Sequence, residues 1–135
     1  MRAEYFMAEE IYEEWLKRAS SNLYIAKVGR INNVYLEDLC FEAEQSAEKA
    51  LKALLIFFQG SYPRVHSFNV LLQMLEKYTP IPIEISEVIE LSDFSVQTRY
   101  PGDYYPISVE EYERTIKIVE NVLDWVYEVI EKNKK

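Results

Sequence analysis

The chain has 135 residues, 49% hydrophobic and 28% charged, which suits one globular domain over residues 1–135 and excludes a disordered polymer. A formal net charge of -8, from 23 acidic against 15 basic side chains, disfavours bulk nucleic-acid binding, which works by neutralising phosphates. Three glycines, five prolines and one cysteine argue against a turn-rich β protein, a disulfide framework and an all-cysteine metal site. No window approaches ~18 uninterrupted apolar residues, so no membrane span is expected. The start, Met1-Arg2-Ala3-Glu4-Tyr5, lacks a basic-then-apolar leader pattern. The expectation is a cytoplasmic protein.

Helical periodicity dominates the chain. Ile11, Trp15, Ala19, Leu23 and Ala26 form one stripe and predict a first helix over 8–27, ended by Gly29 and the Asn32-Asn33 pair. Leu36, Leu39, Ala43, Ala47, Ala50, Leu54 and Phe58 step by three or four and predict a second helix over 35–58. Gly60 and then Pro63 stop it. Phe68, Leu71, Leu72 and Leu75 predict a short third helix with Ser67 as its cap. After the Thr79-Pro80-Ile81-Pro82 break, a fourth helix is expected over 84–95, carrying Ile85, Val88, Ile89 and Phe94. Two prolines and a glycine make Arg99 to Pro106 a loop. Ser108-Val109-Glu110-Glu111 fits a capping box opening a last helix that runs to about Glu131. The expected fold is an all-α, five-helix up-and-down bundle with four main helices and a short third.

The last helix carries two adjacent apolar stripes. One is Ile116, Val119, Leu123, Val126 and Ile130; the other is Ile118, Val122, Trp125 and Val129. Together they span an arc of roughly 180°, wider than the ~100° a surface helix needs. Either the other helices wrap around it, or a second copy of the chain covers the surplus.

The chemistry available is sparse. One histidine and one cysteine do not build a structural zinc site, and no spaced Glu-x-x-His pair supports a di-iron bundle. No glycine-rich phosphate loop exists, and Ser67 beside His66 lacks a third triad member. No metal or cofactor is expected. Three features remain. Gln45, Lys49 and Lys52 share one side of the second helix with Glu48, which also reads as an ordinary solvated face of paired charges. Arg64-Val65-His66 precedes the third helix. Arg99 offers a planar phosphate-binding fork, and Tyr100 and Tyr104 offer rings to stack on a base.

At these residues the sequence resembles the HEPN domain family. The resemblance rests on Trp15, Ala19 and Leu23-Tyr24-Ile25-Ala26 in the first helix. It rests more on the run from Cys40 to Leu55, which includes Glu44-Gln45-Ser46-Ala47-Glu48-Lys49-Ala50-Leu51-Lys52. His66-Ser67 and Arg99-Tyr100-Pro101 complete it in order, so nearly the whole chain is covered. The resemblance implies an all-α bundle, often dimeric. It also implies a protein encoded beside a minimal nucleotidyltransferase, binding a nucleotide or presenting a substrate in a toxin–antitoxin-like pair. A second branch of that family consists of RNase toxins that use an Arg, four to six residues and a His. That pattern is absent, because no histidine follows Arg99. A tyrosine titrating near pH ~10 replaces an imidazole poorly.

The expected function is therefore non-enzymatic binding of a phosphate-bearing nucleotide by Lys49, Lys52, His66, Arg99, Tyr100 and Tyr104. The partner expected is a minimal nucleotidyltransferase, to which Tyr104 or Tyr105 offers a hydroxyl. The alternatives are a homodimeric interaction module without a small-molecule site, and a degenerate RNase in which Asp103 and Tyr104 replace the histidine.

Overall fold

The computed structural model describes residues 8–93 and 106–134. Helix α1 spans Ala8–Val28 and α2 spans Leu36–Gln59. They form an antiparallel pair, as Ser46 donating to the Ala19 carbonyl (2.7 Å) and Tyr12 meeting Phe57 edge-to-face show. Small residues permit the close approach: Ala19 and Ala26 on α1, with Ala43, Ala47 and Ala50 on α2, are all fully buried. Gly60 closes α2 at φ 78°, a conformation costly for any residue with a Cβ, and its N–H donates to the Ile56 carbonyl at 2.8 Å.

The third leg of the bundle is broken into pieces. Helix α3 is Phe68–Leu75, with Ser67 accepting from the Val70 N–H at 3.3 Å. Helix α4 is a single turn, Ile83–Ser86, and a 3-10 segment, Glu87–Asp93, follows. The single α-helix expected over 84–95 is thus replaced. Ile85, Val88 and Leu91 are buried at strict three-residue spacing, the repeat of a 3-10 helix, whereas Ile89 is exposed. Phe94 lies outside the described residues.

Helix α5, Val109–Asn133, starts with the expected capping box: Ser108 accepts from the Glu111 N–H, and the Glu111 carboxylate accepts from the Ser108 N–H. It runs antiparallel to α1, joined by Tyr112 donating to the Ala26 carbonyl and by Lys27 bonding Glu120. Arg114 reaches Glu90 of the 3-10 segment at 2.8 Å, so the third leg ends beside the first turns of α5. Ile118, Val119, Val122, Leu123, Trp125, Val126, Val129 and Ile130 are all buried within this chain. The surplus arc of α5 is therefore covered by its own bundle. The idea that a second copy covers this stripe is corrected, because Val122 has 0% exposure. No described helix is long and apolar enough to cross a membrane.

A smaller cluster joins the starts of α2 and α5: Leu39, Cys40, Ile107 and Tyr112. Buried Glu37 accepts from the Ile107 N–H at 2.8 Å and so anchors the residues just before α5. Burial pushes the Cys40 thiol up to about 11, against a hydrogen bond with Thr115 that lowers it.

Candidate functional site

The polar groups collect on one flank of the α1–α2 pair. Glu48 and Lys52 stand one turn apart on α2, with Lys52 Nζ 2.8 Å from Glu48 Oε2. The spacing is that of an ordinary surface pair, yet Glu48 is 7% and Lys52 4% exposed. What covers them comes from elsewhere in the chain. Gly60 turns the backbone, and the Tyr62 ring then lies with its centroid 5.3 Å from Lys52 Nζ. Trp15 of α1 meets Tyr62 edge-to-face at 4.9 Å.

The same carboxylate oxygen holds His66, whose Nδ1 is 2.7 Å from Glu48 Oε2. Ser67, fixed as the cap of α3, sets the backbone that carries His66 there. The imidazole side chain is otherwise 81% exposed. The site is thus a buried ion pair supporting an outward histidine, with an aromatic ring alongside. Every buried side-chain nitrogen and oxygen among the described residues has a hydrogen-bond partner.

Lys49 is not part of this cluster. Its Nζ bonds Asn22 Oδ1 at 2.8 Å, and Asn22 Nδ2 donates to Glu42 Oε1 at 2.7 Å, a relay that ties α1 to α2. The structure therefore brings Lys52 and His66 together through Glu48 and employs Lys49 elsewhere. Arg99, Tyr100 and Tyr104 lie outside the described residues, as do Asp103 and Tyr105. Tyr62 and Trp15 are participants that sequence reasoning did not assign to the site. Only the proximity of Tyr62 to His66 in the chain hinted at it.

A second group of cations is less suited to a ligand. Lys27, Arg30 and Lys117 line an open groove of about 380 Å³ between α1 and α5, with Glu113 and Glu120 among them. Glu120 bonds Lys27 at 2.7 Å and raises its pKa, so that charge is already matched. No three His, Cys, Asp or Glu side chains converge on a metal-sized group among the described residues.

The HEPN domain profile matches residues 12–132. The chain is similar to the crystal structure of an archaeal HEPN homologue, with a TM-score of 0.69 and 31% identity over 88% of this chain and 97% of that one. It is also similar to a crystal structure from Thermus thermophilus, with a TM-score of 0.77 and 29% identity over 87% and 96% of the two chains. No curated protein matches.

Proposed function

The chain belongs to the HEPN domain family, and we propose that it binds a phosphate-bearing nucleotide beside the Glu48–Lys52–His66 cluster and serves, without chemistry of its own, as the partner of a minimal nucleotidyltransferase. The observation that carries the binding reading is the histidine: His66 is held by a buried carboxylate yet turned to solvent. A surface imidazole fixed in this way is arranged for contact with something outside the chain. Tyr62 supplies an aromatic surface within the same cluster.

The two lysines have different parts in this reading. Lys52 charges the cluster from beneath and holds Glu48, whereas Lys49 fastens α1 to α2. The direct phosphate contact falls to Arg99, whose guanidinium fork suits it. Tyr100 and Tyr104 belong to the same stretch, and the hydroxyl of Tyr104 or Tyr105 is a suitable acceptor for the partner transferase. The absence of a histidine after Arg99 supports the non-catalytic part of the reading.

The test is calorimetry with ATP on wild type, Arg99→Ala and His66→Ala, each with its fold checked. Binding at micromolar affinity, about -8 kcal/mol, weakened in both variants supports the reading. No heat with ATP or other nucleotides contradicts it. Incubation of the protein with RNA in chelator tests the RNase alternative, and intact RNA is the expected result.

A second reading, an interaction module, draws on the corner between α1 and α2. Ile31 is 84% and Tyr35 74% exposed there, which fits a protein contact better than the buried stripe of α5 does.

A further inference from the structure

We propose that His66 accepts a hydrogen bond from a ribose hydroxyl, so that the site takes a ribonucleotide and reads its sugar. This rests on the nucleotide reading above and specifies which atom of the ligand meets which atom of the protein.

One carboxylate oxygen is shared by two partners. Glu48 Oε2 is 2.8 Å from Lys52 Nζ and 2.7 Å from His66 Nδ1. Lys52 is an ammonium and can only donate; a carboxylate paired with it can only accept. The bond from His66 therefore needs its proton on Nδ1. In the neutral ring that leaves Nε2 bare, with a lone pair facing out of a side chain that is 81% exposed.

A bare Nε2 repels the oxygens of a phosphate and welcomes an O–H or N–H donor. A nucleotide offers ribose hydroxyls and, in some bases, an exocyclic amine. The ribose hydroxyl is the donor that every ribonucleotide carries, whereas an exocyclic amine belongs to some bases alone. Tyr62, with the Lys52 ammonium over its ring and Trp15 packed against it edge-to-face, stands as a wall of the same cluster.

The buried pair gains a purpose in this account. Burying two charges is costly even when they pair, and an apolar pair of similar volume is often at least as stable. Beneath an exposed imidazole, however, the pair fixes both ring orientation and tautomer. Glu48 is thus a positioning residue, acting through His66. In Glu48→Gln the side-chain amide can donate to Nδ1, which moves the imidazole proton to Nε2 and turns the acceptor into a donor.

Two measurements test this. The first is a long-range proton–nitrogen NMR spectrum of the His66 ring in the full chain. A protonated Nδ1 with a bare Nε2 is expected; a protonated Nε2 in the neutral ring overturns the proposal without any ligand. The second is calorimetry with ATP, 2′-deoxy-ATP, 3′-deoxy-ATP and ITP. At least one deoxy analogue should bind wild type roughly three- to tenfold more weakly than ATP, the worth of one hydrogen bond. The difference should vanish in His66→Ala, whose exposed position spares the fold, and in Glu48→Gln if that variant folds. Equal affinities for ATP and both deoxy analogues overturn the sugar contact while leaving nucleotide binding intact. A loss confined to ITP overturns it in favour of the base amine. No binding of any of the four overturns the nucleotide reading and this subsite with it.

Discussion

His66 Nδ1 lies 2.7 Å from Glu48 Oε2, across 18 residues of sequence and at the boundary between a buried ion pair and solvent. The exposed partner depends on the buried one, and the buried one depends on Lys52. This ordering decides what substitutions should do.

Removing one member of the buried pair should be far worse than removing the histidine. Lys52→Met leaves the Glu48 carboxylate without its ammonium, and a broken buried pair costs about 3–5 kcal/mol. His66→Ala loses one hydrogen bond at an exposed side chain and should cost about 1 kcal/mol. Urea unfolding of the two variants gives the comparison. Similar losses in both would mean that the pair is not buried as described.

The core of α5 makes an equally sharp case. Val122 has 0% exposure within the bundle, so Val122→Glu buries an unpaired carboxylate. The expected outcome is a loss of at least about 4 kcal/mol, visible as a collapsed thermal melt. A folded variant that merely changes its mass in light scattering would contradict the burial.

Much of this architecture is legible in the sequence. The stripes of Trp15, Ala19 and Ala26, and of Ala43, Ala47 and Ala50, announce helices because small and apolar residues recur at one face. Ser108 and Glu111 announce the start of α5 because capping is local chemistry. The third leg is harder. Ile85, Val88 and Leu91 repeat at three, but Ile89 sits where an α-helical stripe would place it, and only packing separates the two registers. The site is hidden for another reason. Glu48 and Lys52 look like a solvated surface pair, but Tyr62 lies over Lys52 and is itself packed against Trp15, 47 residues earlier in the chain. Distant contacts of this kind leave no local trace. The same is true of Glu37 holding the Ile107 N–H from 70 residues away.

Two helix ends give local tests. Ser108→Ala removes a capping box and should cost about 1 kcal/mol. Gly60→Ala places a Cβ at φ 78° and should cost about 1–2 kcal/mol, although space around that position is open. Both are read from denaturant midpoints, and a neutral Gly60→Ala would contradict the left-handed cap.

Alkaline pH probes the small cluster at the start of α5. The Cys40 thiol is raised from the ordinary 9.0 to about 11, first by burial. The folded state therefore holds this proton more tightly than the unfolded chain. Its contribution is fully present below pH 9 and is lost as pH rises toward about 11, at up to about 1.4 kcal/mol per pH unit. Tyr112 beside it is also raised by burial, with the same sign. Melts between pH 8 and 10.5 should show a shallower decline in Cys40→Ala than in wild type. An identical decline would mean that the thiol does not ionise on unfolding. Native Cys40 should also react slowly with thiol reagents, because the thiolate is the reactive form.

The most direct test of the account is an amide NMR titration of the 15N-labelled chain with ATP. Shift changes concentrated in residues 48–52 and 60–68 are predicted, with the His66 amide among the most affected and the response lost in His66→Ala. Changes confined to the α1–α2 corner around Ile31 and Tyr35, or none at millimolar ATP, would contradict a nucleotide site on the Glu48–Lys52–His66 cluster.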